Sequence, residues 1–146
     1  MKVRHALTYV VARPRDRVVA VATDPHLVPE YDDRIAAVET NGLPPGSTGF
    51  AAVLHTKDPA LGPVRGTVLH GALPDEVVSR TEFPSFTSRT RTTFVALAPD
   101  VTQVREEQEI DLLWWQPLHV LVARATLART SDDAARKAQA FLESRA

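Results

Sequence analysis

The chain contains no cysteine, which excludes disulfides, thiolate catalysis and cysteine-ligated zinc. It has no excess of either charge: 17 Lys and Arg stand against 18 Asp and Glu, for a net charge of -1. The basic field that nucleic acid requires is therefore missing. No apolar run reaches the roughly 18 residues of a membrane span. The N-terminal stretch alternates like a strand and lacks the apolar core of a signal peptide. Five histidines, His5, His26, His55, His70 and His119, are scattered without metal-ligand spacing such as HExxH. There is no glycine-rich phosphate loop, and Ser79 lacks the elbow context of a hydrolase nucleophile. These absences predict a cytoplasmic protein with no metal or cofactor, no nucleic-acid partner and no membrane span; separately, a monomer or homodimer is expected.

What is present is an ordinary globular composition. The 146 residues, 44% of them hydrophobic, suffice for one domain over 1–146 with a sizeable core. The last third organises the rest. Thr87 to Leu97 and Val101 to Leu112 are rich in Thr, Val and Ile and meet across Ala98-Pro99-Asp100, which is a hairpin signal. After Trp114-Trp115, Pro117 suits the first position of a long final helix. Apolar residues recur there at helical spacing, from Leu118, Leu121 and Val122 to Phe141 and Leu142.

Ahead of that hairpin, Val3 to Ala12 reads as a strand. A short helix over Pro14 to Ala22 follows, then a second to about Tyr31, capped by Asp24 with Pro25 at its first position. Strands are expected at Arg34–Thr40, Gly49–Lys57, Val64–Leu73 and Val77–Phe83, with Pro- and Gly-rich turns between them. One strand, two short helices, six strands in hairpin succession and a long helix make an α+β domain.

Alternation in Val101 to Leu112 assigns the faces. Gln103, Arg105, Glu107, Glu109 and Asp111 have solvent composition, so Thr102, Val104, Glu106, Gln108, Ile110 and Leu112 face the helix. Glu106 and Gln108 on that face need partners or a wet cavity, because burying such groups unpaired costs about 1–3 kcal/mol. With the last turn centred near Pro99-Asp100, directly opposed residues extend the face to Arg89, Arg91, Thr93, Val95 and Leu97. Carried further, it takes Val77, Ser79, Thr81 and Phe83, then Gly66, Val68, His70 and Ala72, then Phe50, Ala52, Leu54 and Thr56. A bulge anywhere inverts everything beyond it.

Several residues on this face are candidates for chemistry. His70 is a general base or a histidine hydrogen-bonded to Ser79. Arg91 holds a ligand oxyanion with Glu106 orienting it, or the two form a self-satisfied buried pair. A desolvated Glu106 has a raised pKa suited to acid–base work. Gln108 meets a ligand hydroxyl or bridges to Arg91. Tyr31 stands at the pocket rim, and one of Trp114 and Trp115 faces the interior, where it packs or stacks on a planar ligand. Phe50, Leu54, Val68, Ser79, Thr81, Thr93 and Leu121 complete the expected ligand contacts.

The order of elements resembles the START-like, or SRPBCC, superfamily of polyketide cyclase/dehydrases and lipid-transport-like proteins over essentially the whole chain. Its carriers are Ala12-Arg13-Pro14-Arg15-Asp16-Arg17-Val18, Thr23-Asp24-Pro25 with Leu27-Val28-Pro29-Glu30-Tyr31, and Val101-Thr102-Gln103-Val104. The resemblance implies a helix-grip: a curved antiparallel sheet of about seven strands wrapped around a long C-terminal helix, enclosing a ligand cavity. Glu106-Glu107-Gln108-Glu109-Ile110-Asp111 is similar to the matching strand of small aromatase/cyclases, where an inward Gln lines the polyketide pocket; here that Gln is Gln108. Their inward Trp and Arg are replaced by Gly66, Val68 and Ala72, with His70 as the polar member.

The expected partner is a hydrophobic, oxygenated small molecule, bound by a polyketide-type cyclase or dehydratase. In that reading Arg91 stabilises oxyanion charge while His70 or Glu106 moves a proton. The alternatives are a non-catalytic carrier or sensor of a lipid, quinone or similar ligand, and an interaction module without ligand.

Overall fold

A computed structural model of the chain describes residues 2–83, 86–112, 133 and 135–146. Strand β1 (Lys2–Val11) leads through Pro14 into α1 (Arg15–Ala22), so the proline stands just before the helix. Val18 and Val19 are the buried face of α1. The Asp24 side chain accepts the His26 N–H at 3.0 Å and Pro25 opens a 3-10 turn, Pro25–Leu27, continued by a single α-turn, α2 (Val28–Tyr31). The second helix is thus two short pieces.

Strands β2 (Ile35–Thr40), β3 (Ala51–Thr56), β4 (Val64–Ala72), β5 (Glu76–Glu82), β6 (Phe86–Ala98) and β7 (Val101–Leu112) follow. Residues 135–145 are helical and belong to the C-terminal helix, α3. The Trp114-Trp115 pair, the expected start of that helix and its stripe from Leu118 to Ala128 lie outside the described residues.

The seven strands form one curved antiparallel sheet in the order β1-β7-β6-β5-β4-β3-β2. Every consecutive pair from β2 to β7 is a hairpin, and β1 closes onto β7. Side chains of α1 and α3 pack with the concave face, where Tyr9, Val11, Val18, Val19, Phe94, Val104 and Leu142 form the main core. Phe50, Ala52 and Val68 form a second cluster further along the sheet. The end of α3 is fixed from both sides: Leu142 is buried in the main core, and the Ala12 N–H donates to the Glu143 carboxylate at 3.1 Å.

The described ladders shift register in β2, between Ile35 and Ala37, and at bulges in β6 and β4, and the last two change which of the expected side chains face inward. The β6–β7 hairpin pairs Ala98 with Val101, but the next pair is Ala96 with Thr102, so Leu97 is the extra residue. From there Phe94 opposes Val104, Thr92 opposes Glu106 and Thr90 opposes Gln108. The concave side of β6 is therefore Ser88, Thr90, Thr92 and Phe94. Arg89, Arg91, Thr93 and Val95, expected inside, are on the convex face, because one extra residue inverts a period-2 strand. In β4 a second bulge falls between Val68 and His70. Gly66 and Val68 keep the concave face, and His70 turns outward opposite Val78. The faces of β3, β5 and β7 are as the alternation predicts.

Candidate functional site

Three cross-strand rows build the concave floor. Tyr9, Val104 and Phe94 form the first. Leu7, Glu106, Thr92 and Val77 form the second, and His5, Gln108, Thr90, Ser79 and Val68 the third. Between these rows and the α1 side lies an inner cavity of about 230 Å³. Its apolar lining includes Phe50, Ala52, Leu54, Val68, Val77, Phe94 and Val104, and its polar lining includes Ser79, Thr81, Thr92, Tyr9 and Glu106. Beside it lies an outer chamber of about 560 Å³, walled by Tyr31 to Arg34 on one side and by Lys137, Ala138, Phe141 and Leu142 of α3 on the other. Tyr9, Ala22 and Glu106 line both spaces. Glu106 is the carboxyl at that boundary.

Among the described residues no cation or hydrogen-bond donor pairs with the Glu106 carboxylate. Burial raises its pKa, since a carboxylate loses more hydration than a neutral carboxyl. Burial also raises the Tyr9 phenol, reinforced by the Glu106 charge, so Tyr9 remains a neutral hydroxyl donor across the physiological range. Tyr31 is shifted the same way, by burial around its hydroxyl and by Asp32 and Glu106. Further along the strand, Gln108 donates to the Ser88 hydroxyl at 3.0 Å rather than bridging to an arginine. His5, its cross-strand neighbour, has a buried Nε2 with no hydrogen-bond partner among the described residues.

The structure gathers some of the expected residues and separates others. Glu106, Phe50, Leu54, Val68, Ser79 and Thr81 line the inner cavity. Tyr31 lines the outer chamber at its rim, 57% exposed. Arg91 is on the opposite face of the sheet, its Nε 3.5 Å from Glu76, so it does not meet Glu106. His70 is exposed on that face as well, and Thr93 points there between Glu76 and Arg105. Trp114 and Leu121 lie outside the described residues. Tyr9, Thr92 and Phe94 were not among the expected ligand contacts. Tyr9 shares the alternation of Val3 and Val11, and Phe94 shares a face with Ser88, Thr90 and Thr92, opposite two arginines; reading each strand by itself finds both.

No family model matches the sequence, and no curated protein resembles it in sequence. Solved structures do superpose on it along nearly its full length. A START superfamily protein from Mycobacterium smegmatis matches with a TM-score of 0.71 at 15% identity, covering 97% of both chains. Ara h 8.0201 matches with a TM-score of 0.74 at 11% identity, over 99% of both. The chain has the START-like helix-grip fold. The Zhui aromatase/cyclase from Streptomyces sp. R1128 shares this helix-grip, with a TM-score of 0.70, 15% identity and coverage of 99% of this chain and 96% of the other. At such identities the likeness concerns the fold, which by itself carries no reaction. Among the described residues of this helix-grip chain, no helix is long and apolar enough to cross a membrane.

Proposed function

We propose that this helix-grip protein binds a mostly apolar, oxygenated small molecule between sheet and C-terminal helix, and that Glu106 exchanges a proton with it. The observation that carries this reading is Glu106 itself, a carboxyl at the boundary of two chambers whose other inner-cavity polar side chains are hydroxyls. A group with a raised pKa in a cleft is suited to proton transfer near neutral pH. In a polyketide-type dehydration, the Glu106 carboxylate takes the proton α to a ligand carbonyl, and the Tyr9 hydroxyl holds the resulting enolate oxygen. The proton then goes to the β-hydroxyl, which leaves as water while the double bond forms. Tyr9 takes the oxyanion role expected of Arg91, and Glu106 carries the proton alone because His70 faces outward. The similarity to an aromatase/cyclase supports this chemistry as a class.

A carrier or sensor of a lipid, quinone or similar ligand is the second reading. It is favoured by the convex placement of Arg91 and His70, which leaves Glu106 as the one carboxyl among the described residues that line the inner cavity.

Native mass spectrometry of the purified protein against its denatured mass tests the shared part: a retained small molecule is expected, and Ser79→Phe should expel it. Retention in that variant would place the ligand elsewhere. With a ketone ligand in hand, proton NMR in D₂O separates the two readings. Deuterium incorporation at the α-carbon that is lost in Glu106→Gln supports proton exchange. Binding without catalysed incorporation leaves the carrier.

A further inference from the structure

The walls of the outer chamber belong to two segments far apart in sequence. One is α2 with the residues after it, and the other is the last turns of α3. α2 is a single turn with no buried residue of its own. An isolated turn of that length has no independent stability, so its position depends on what it touches. Two contacts tie it to α3. Glu30 accepts from Arg145 through both carboxylate oxygens, the Nε contact measuring 2.9 Å. The Tyr31 and Phe141 rings meet with centroids 4.7 Å apart, inclined by 58°. The Tyr31–Phe141 contact lies in the wall of the outer chamber, which Glu106 and Tyr9 also line, and the Glu30–Arg145 pair joins the same two segments one residue away on α2.

The two sides differ in how firmly they are held. The end of α3 is anchored by Leu142 in the core and by Glu143 on the Ala12 amide. α2 has no comparable anchor, and beyond it the chain is braced locally by the Asp32–Arg34 fork, at 2.9 and 2.8 Å.

We propose that the Glu30–Arg145 pair and the Tyr31–Phe141 contact form a latch, and that α2 swings from α3 to admit and release ligand above Glu106. This inference rests on the ligand cavity proposed above and adds how that cavity is reached. Opening exposes one aromatic contact and one ion pair, each half in water, and leaves the main core intact. Elements of low local stability are the ones that move in this way. Because the ion pair is 39% and 47% exposed on its two partners, it weakens with salt.

The test is stopped-flow fluorescence with N-phenyl-1-naphthylamine, a neutral apolar probe whose own charge does not respond to salt. Glu30→Gln is expected to raise both association and dissociation rates several-fold while leaving the dissociation constant within about twofold. Raising the ionic strength should accelerate the wild type and leave Glu30→Gln unchanged. The chain has no cysteine, so Glu30→Cys with Arg145→Cys can be joined specifically by a bis-maleimide, and the joined protein should exchange probe far more slowly. Probe that binds with rates indifferent to the variant, to salt and to the crosslink overturns the latch and leaves the cavity standing. Probe that binds to none of these proteins removes the cavity, and the latch with it.

Discussion

Glu106 occupies a position that favours its protonated form, and that preference has a thermodynamic consequence. Its folded pKa lies above the usual glutamate value of ~4.3. Between that value and the folded pKa the native state therefore binds more protons than the unfolded chain, and stability falls as pH rises through the window. Above the folded pKa both states are ionised and the loss levels off. Glu106→Gln removes this slope, so urea midpoints at pH 5 and pH 8 should converge more in the variant than in the wild type. Asp32, whose pKa is lowered by its hydrogen bond to Arg34, acts in the opposite sense, losing its contribution as pH falls below the unfolded value. It is present in both proteins, so the difference between them isolates Glu106. Parallel profiles would mean that Glu106 is hydrated or paired in solution. A second contrast lies one residue apart in β6. Phe94 is 2% exposed in the core and Val95 is 43% exposed on the convex face. Phe94→Ala should cost about 3–5 kcal/mol and Val95→Ala about 1 kcal/mol or less. Urea unfolding that reversed this order would restore the uninterrupted register.

At the scale of elements, bulges decide which residues meet. The alternation in β7 was legible because twelve residues run without interruption and each face has a consistent composition. That placed Glu106 and Gln108 correctly, and hairpin succession accounts for the order from β2 to β7, though not for β1 beside β7. The inward set of β6 was not legible from β7, since one extra residue beside the turn has no distinctive sequence signature and inverts every side chain beyond it. The composition of β6 did hold the answer: Arg89 and Arg91 share a face that excludes Phe94, and a strand buries its aromatic before its guanidinium groups. In β4 the bulge beside Leu69 moved His70 outward, and there neither neighbour distinguishes the faces. A tight crossing nearby offers a test of local packing. A Cβ on Gly71 would lie 2.1 Å from the Gly46 carbonyl oxygen, and the Gly71 N–H donates to Thr48 Oγ1 at 2.9 Å. Gly71→Ala must push the loop carrying Gly46 away from β4, at a cost of about 1–3 kcal/mol. Because Gly46 also lines the inner cavity, the same substitution should weaken uptake of N-phenyl-1-naphthylamine. A variant as stable as the wild type would show that this loop yields freely.

For the whole molecule, the sheet divides the chain into two chemistries. The convex face carries paired charges: Arg4 and Lys2 on Glu109, Arg105 on Glu107, Arg91 on Glu76 and Arg80 on Glu82. Most are exposed pairs, each worth little to stability, and they keep the unpacked side of the sheet hydrated. Among the described residues the concave strands carry apolar side chains, hydroxyls, His5, Gln108 and one carboxyl, Glu106. Since no concave side chain can reach through the sheet, substitutions on neighbouring residues of β6 should separate the faces. Arg91→Ala removes a guanidinium from the outer face and should leave probe affinity within about twofold, with stability changed by about 1 kcal/mol or less. Thr92→Phe adds a ring to the cavity floor opposite Glu106, filling space that the ligand needs. Its probe affinity should fall at least tenfold, a difference of about 1.4 kcal/mol. Fluorescence titration of the two variants reads this directly, with circular dichroism as the control for folding. An Arg91→Ala protein that lost affinity while Thr92→Phe kept it would move the ligand to the convex groove lined by Arg4, Arg89 and Arg105. The reading of Glu106 as the proton-exchanging group would then have no ligand beside it.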